Sequence, residues 1–190
     1  DSVDLVRRKD NSYALNKEGK LSAFSFSNQK DAELIIAEEA VDLEHLHLAN
    51  NAALTQLVFD QPLPKLSHLY LNNCAVTQLR IPSGFKALKQ VYVQKNQLTA
   101  LVFEGGCPAL ELLDASENQL ERLVMPKGFG NLTYLYLQKN KLEQLPEDFY
   151  LLKKLDTLYL AGNPMNSVPK DVVGSGDRHN SASGVIAYLE

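Results

Sequence analysis

Apolar residues recur along this chain in one pattern, L-x-x-L-x-L-x-x-N/C, that returns every 22–23 residues. It is clearest at Leu132, Leu135, Leu137, Asn140 and at Leu155, Leu158, Leu160, Asn163. Leu88, Val91, Val93, Asn96 follows it with conservative swaps, and Leu110, Leu113, Ala115, Asn118 carries one small residue. Leu66, Leu69, Leu71, Cys74 has Cys where Asn is usual. Leu43, Leu46, Leu48, Asn51 fits with a loop one residue longer before Leu54, and Leu21, Phe24, Phe26, Gln29 is a degenerate first copy. The copies start at residues 21, 43, 66, 88, 110, 132 and 155, so seven repeats stay in register.

That period dictates an architecture. The L-x-L piece is a short strand whose side chains alternate between faces, apolar ones inward and the rest outward. A second apolar pair follows each strand, as in Val76 and Leu79, Leu98 and Leu101, Leu120 and Leu123, Leu142 and Leu145, Met165 and Val168. A third apolar residue comes from the return segment, as in Phe85, Phe129 and Phe149. One such unit cannot bury its own apolar face, but stacked neighbours can. The Asn position suits a side chain that satisfies turn backbone groups, and Cys74 reads as a structural substitute with only a weak donor. The return segments differ among themselves. Lys30 to Ala40 reads as a helix, and Pro146 to Lys154 as a segment with a helical turn. Pro82-Ser83-Gly84 and Gly105-Gly106-Cys107-Pro108 favour extended or 3₁₀ structure.

Solenoids need caps, because their terminal repeats expose core. Ser12 to Leu21 reads as a β-hairpin turning at Asn16-Lys17-Glu18-Gly19, and residues 1–11 add a short helix. Gly174 to Arg178 breaks the pattern, and Ser181 to Glu190 reads as a helix with Val185, Ile186 and Leu189 on its apolar face. The expected fold class is therefore α/β: a repeat solenoid of seven repeats with a parallel β-sheet on its concave face, an N-terminal β-hairpin cap and a C-terminal helical cap. The expected organisation is a cap over 1–20, repeats over 21–173, and a cap helix or the start of a linker over 174–190.

The repeats from about residue 21 to 170 resemble the intracellular bacterial branch of the leucine-rich-repeat family, with the Leu145-Pro146 and Val168-Pro169 pairs typical of it. The hairpin from Tyr13 to Phe26 resembles the segment that opens such arrays in bacterial multidomain proteins. The tail from Gly162 to Val173, ending Ile186-Ala187-Tyr188-Leu189, is similar to the tail that closes repeats before an effector domain, as in Roco-type GTPases and TIR-containing proteins. The resemblance implies a recognition or regulatory module with no catalytic residues of its own.

Composition narrows the partner. The net charge is −4, which gives no electrostatic reason to bind nucleic acid or an anionic membrane. Apolar runs are far shorter than the roughly 20 residues that span a bilayer. No basic start followed by an apolar stretch is visible, so no signal peptide is expected in these residues. The two cysteines, Cys74 and Cys107, form no cluster of the kind that caps extracellular repeats, which favours a reducing cytoplasmic setting.

Catalytic chemistry finds little support. A phosphate loop needs G-x-x-x-x-G-K-[ST]; Gly128-Phe129-Gly130 and Gly174-Ser175-Gly176 lack the Lys and read as turns. No G-x-S-x-G, H-E-x-x-H or C-x-x-C occurs, and Glu38-Glu39 reads as a solvated pair. No enzyme activity, cofactor or metal is expected. One cluster invites a metal alternative: His45 and His47 lie two apart on one strand, and His68 is the equivalent of His45 one strand over. Zn²⁺ or Ni²⁺ is conceivable there, but no fourth ligand stands in register, so three exposed polar residues of a binding face is the preferred reading.

The outward positions carry the functional expectation. Between the strand leucines they read Ser25, His47, Tyr70, Tyr92, Asp114, Tyr136 and Tyr159. Two residues earlier they read Ala23, His45, His68, Gln90, Leu112, Tyr134 and Thr157, and two later Ser27, Ala49, Asn72, Gln94, Ser116, Gln138 and Ala161. Five of the eight tyrosines fall in the first two columns. Tyr suits an exposed parallel sheet for propensity alone, but it is also a stiff, amphipathic contact residue common at binding hot spots. His45, His47, His68, Tyr70, Tyr92, Asp114, Tyr134, Tyr136 and Tyr159 are thus the expected partner-binding residues, with Lys95, Glu117 and Lys139 setting rim charge. The partner expected is a protein, or neighbouring domains of the same chain.

Overall fold

The computed structural model describes residues 12–15, 21–25, 33–36, 38–166, 168 and 180–189. The expected helix in 1–11, the hairpin turn at 16–19 and the break at 174–178 lie outside the described residues.

The chain winds as a solenoid with a parallel sheet on each side of one apolar core. Each L-x-L piece becomes a strand of the first sheet: β2 (Leu21–Ser25), β4 (His45–His47), β6 (His68–Tyr70), β8 (Gln90–Tyr92), β10 (Leu112–Asp114), β12 (Tyr134–Tyr136) and β13 (Thr157–Tyr159). These seven run parallel, one repeat apart, on the side that the sequence assigns to the concave face. The inward residues of the six strands of this sheet from β4 to β13, Leu46, Leu69, Val91, Leu113, Leu135 and Leu158, are fully buried. Burying each of these side chains contributes about 2 kcal/mol.

Both caps are present in the fold. β1 (Ser12–Leu15) pairs antiparallel with β2 and completes the hairpin. At the other end β14 (Asn180–Ser181) pairs antiparallel with β13 and leads into α1 (Ala182–Leu189). Val185 and Ile186 of α1 are buried, and the helix packs against the 3₁₀ turn Phe149–Leu151. That turn lies inside the return segment expected to hold one.

The return side forms the second sheet. β3 (Glu33–Ile36), β5 (Gln56–Phe59), β7 (Gln78–Ile81), β9 (Ala100–Phe103) and β11 (Arg122–Val124) run parallel in that spatial order. This corrects the helix expected over Lys30 to Ala40. Residues 33–36 are strand, and Glu38–Asp42 is a 3₁₀ turn. Leu34 and Ile36 are buried while Ile35 is exposed, a period of two rather than 3.6. The β-branched pair and the ladder offered by β5 outweigh the helix propensity of the flanking Ala and Glu. The second sheet ends at β11, where the following repeat carries Leu145-Pro146 and no strand forms. Proline has no N–H to give a ladder.

Between the sheets, Phe59 meets Phe85 and Phe103 meets Phe129, both edge-to-face pairs at 5.2 Å between ring centroids. Cys107 sits in the register of Phe85 and Phe129 and is buried there. Burial pushes its thiol up to about 12.

A ladder of Asn side chains holds the repeats together. Asn118 donates to Val93, Ala115 and Ser116 carbonyls and accepts from the Leu98 amide at 3.0 Å. Asn96, Asn140 and Asn163 repeat the arrangement, each accepting from an amide of the preceding repeat, Val76, Leu120 and Leu142. Cys74 takes over half of the role. Its Sγ donates to Leu48 O at 3.2 Å, as an Asn would. The amide it cannot accept is that of Leu54, which turns to Asn51 O at 3.0 Å within the longer loop.

Candidate binding face

The register of the first sheet turns the outward columns into physical rows. His47, Tyr70, Tyr92, Asp114, Tyr136 and Tyr159 are successive direct Cα partners across neighbouring strands. His45 and His68 are partners in the next row, which continues through Gln90 and Leu112 to Tyr134. All nine expected contact residues therefore lie on one face of one sheet.

Adjacent strands set rings at stacking distance, about 4.8 Å apart. His47 stacks on Tyr70 at 4.5 Å and 8°, and Tyr70 stacks on Tyr92 at 5.1 Å and 5°. Beyond Asp114, Tyr136 stacks on Tyr159 at 5.4 Å and 25°. The row is thus two aromatic stacks separated by one carboxylate. His45 lies 4.9 Å from His68 in a tilted contact, and Tyr134 is 41% exposed, the most open of the row tyrosines. Offset and stacked rings of this kind hold one another stiff.

The electrostatics follow from the packing. His47 and His68 have pKa values lowered by burial among the rings and, next, by the charge of His45. Near neutral pH these two rings are therefore mainly uncharged. Burial raises the Tyr92 and Tyr136 phenols; neighbouring tyrosines and the Asp114 carboxylate add to it. Tyr92 Oη donates to Gln90 at 3.2 Å, which fixes the ring tip.

Asp114 is anchored by one oxygen only. Its Oδ1 accepts the Ser116 amide at 3.0 Å and the Ser116 hydroxyl at 2.6 Å. The rim residues Lys95, Glu117 and Lys139 are exposed at the ends of their strands, each with a left-handed backbone, and Lys139 approaches Glu117 at 3.9 Å. Among the described residues no group of three or more His, Cys, Asp or Glu is arranged to hold an ion. Among the same residues no helix is long and apolar enough to cross a membrane.

The sequence brought these residues to one face but could not show that Asp114 interrupts a continuous stack. It also missed Gln94 and Gln138, which flank Ser116 one row over. Each keeps an Oε1 shielded from solvent and without a hydrogen-bond partner among the described residues. Their place in the third outward column is the only signal the sequence held.

Comparison with known proteins agrees with the fold. A leucine-rich-repeat family model matches residues 122–165. A Roc-COR-CHAT protease of Runella zeae is 48% identical over 70 residues, which is 37% of this chain and 8% of that protein. A second Roc-COR-CHAT protease, from an unknown prokaryotic organism, is 50% identical over 46 residues, 24% of this chain and 4% of that protein. This chain matches only those small fractions of both relatives. A solved leucine-rich-repeat protein of Leptospira interrogans is similar over 69% of this chain and 42% of its own, at 20% identity and a TM-score of 0.44. The chain is a leucine-rich-repeat solenoid resembling the repeat regions of bacterial Roco-type proteins. Such folds are typically non-catalytic.

Proposed function

We propose that this solenoid is a non-catalytic binding module that holds a protein partner on its first sheet, in a reducing cytoplasmic setting. The observation that carries the reading is the aromatic row: His47, Tyr70 and Tyr92 stacked above Asp114, with Tyr136 and Tyr159 below. Large, stiff, half-exposed rings bind at low entropic cost, because they have little motion to lose. Apart from its histidines the face carries only Asp114 and the rim charges, which suits a protein surface better than a polyanion. The two free, buried thiols support the compartment.

Tyr92→Ala and Tyr136→Ala test this. Each is expected to weaken partner binding by about tenfold or more, the scale of a hot-spot residue, with the thermal midpoint nearly unchanged because neither ring belongs to the core. Unchanged affinity in both variants, measured by calorimetry with an identified partner, removes the face as the site.

A second reading has its own support. The similarity to Roc-COR-CHAT proteases, of which this chain matches 8% and 4%, favours a regulatory segment that contacts other domains of a larger signalling enzyme. On that reading 1–20 and 174–190 are the proposed flanks of the repeat unit at 21–173. The gene beyond Glu190 decides: a phosphate-binding loop downstream supports the multidomain reading, and a stop codon the free-standing one.

A further inference from the structure

The rung at Asp114 is where the aromatic row lacks a ring. Tyr92 already uses one face against Tyr70, and Tyr136 one face against Tyr159. Their other faces look toward the Asp114 rung from either side, since Asp114 is the direct register partner of both. Two strand spacings separate them, about 9.6 Å, so a group at mid-gap sits about 4.8 Å from each ring. That is inside the roughly 6 Å over which a cation is held by a tyrosine face.

The rung also lacks a counter-charge. Asp114 is the only carboxylate in the three outward columns. Its Oδ2 accepts no hydrogen bond among the described residues, and no Lys or Arg pairs with it there. Lys139 approaches Glu117, and neither it nor Lys95 pairs with Asp114 among the described residues. The rung therefore offers two π faces and one carboxylate oxygen, Oδ2, to which nothing donates among the described residues.

We infer that the Asp114 rung is a receptor for an arginine side chain of the protein partner, the guanidinium lying between the Tyr92 and Tyr136 rings and donating to the Asp114 carboxylate. The flat, delocalised guanidinium stacks on two rings at once and still presents N–H donors at its edge. A lysine ammonium is a compact, strongly hydrated point charge that can approach one face but cannot be sandwiched as a plane. The inference rests on the proposed use of this face for protein binding, and it names the chemistry that the partner must bring.

The test uses the whole chain and blocked single amino acids: N-acetyl-arginine methylamide, and its citrulline and lysine counterparts. Ring resonances of the tyrosines, assigned by single Tyr→Phe replacements, are followed during titration. The arginine compound is expected to shift Tyr92 and Tyr136 saturably at millimolar concentration, with Tyr159 little moved. Citrulline, planar but uncharged, is expected to bind about tenfold more weakly or not at all, since it lacks the charge that the carboxylate and π faces attract. Asp114→Asn keeps the acceptor for Ser116 and is expected to lose at least about tenfold of the arginine affinity without loss of fold. Equal shifts from citrulline, no shift at Tyr92 and Tyr136, or full affinity in Asp114→Asn overturns the assignment. If these fail while Tyr92→Ala still weakens partner binding, only the arginine assignment falls; if Tyr92→Ala and Tyr136→Ala also leave partner binding intact, the face itself falls.

Discussion

Asn118 shows how much one side chain can carry here. It gives three buried hydrogen bonds to carbonyls of two repeats and takes one from the Leu98 amide. Asn118→Ala strands the buried Leu98 amide, while the Val93, Ala115 and Ser116 carbonyls keep Asn96, Asn140 and the Lys95 amide as donors. A loss of about 2 kcal/mol, mostly that of the stranded amide, is expected in urea unfolding, whereas Cys74→Ala, which removes weak thiol donation, should cost less. The repeat consensus made this position legible, and made Cys74 legible as a substitute. It could not show that Leu54 finds another acceptor, because that depends on the path of the longer loop. The histidines add a pH effect. His47 and His68 have folded-state pKa values below the ordinary 6.5, so protonation favours the unfolded chain. Their contribution is intact near neutral pH and is lost as pH falls below the ordinary value toward the lowered ones. The loss is small, since His47 is exposed and His68 only partly buried. A thermal midpoint that falls less between pH 7 and pH 5 in His45→Gln than in the parent chain confirms the role of the His45 charge; equal falls in both chains refute it.

Elements here are short, and their identity comes from neighbours. Strands of three or four residues have almost no independent stability, so β3 and its four companions exist because the adjacent repeat offers a ladder. This is why the segment around Leu34, Ile35 and Ile36 read as helix in isolation and folds as strand in the stack. Leu79-Arg80-Ile81 alternates and Leu101-Val102-Phe103 is apolar throughout, and nothing local says that such segments align into a second sheet. Close stacking leaves a signature at the turns between that sheet and the first. A Cβ on Gly106 would sit 2.5 Å from the Lys127 carbonyl oxygen and 2.8 Å from the Gly128 Cα, whereas one on Gly130 meets nothing within 4 Å. Gly106→Ala must therefore push two backbone segments apart. It is expected to lower stability by about 2 kcal/mol, the scale of overpacking, while Gly130→Ala is neutral or stabilises by about 0.5 kcal/mol through the unfolded chain. Similar denaturation midpoints for the two variants would mean that the turns are free to separate.

At the scale of the molecule, a solenoid distributes stability through nearest-neighbour contacts, so its ends matter more than those of a globular domain. The helix α1 sits at one of them. Val185 is fully buried and Ala182 and Ile186 nearly so, against a return segment that contributes the buried Phe149 and Leu152. The sequence told that the helix was amphipathic, with Val185 and Ile186 inward; the structure adds what they cover. Val185→Asp places a carboxylate in that contact, where burying an unpaired charge is prohibitive, so the helix must lift rather than accept it. Lifting exposes Phe149 and the last leucines as a continuous apolar edge. Two consequences are expected together: a loss of about 3 kcal/mol in the region nearest α1, read by hydrogen exchange as faster opening of β13 than of β8, and concentration-dependent self-association seen by light scattering. The Tyr70 and Tyr92 part of the binding face should be spared, because β6 and β8 lie four and three strands from β13 and feel the end only through intervening contacts. A Val185→Asp chain that opens uniformly, with β8 exchanging as fast as β13, would show that the stack unfolds as a single unit and that the cap stabilises all of it equally.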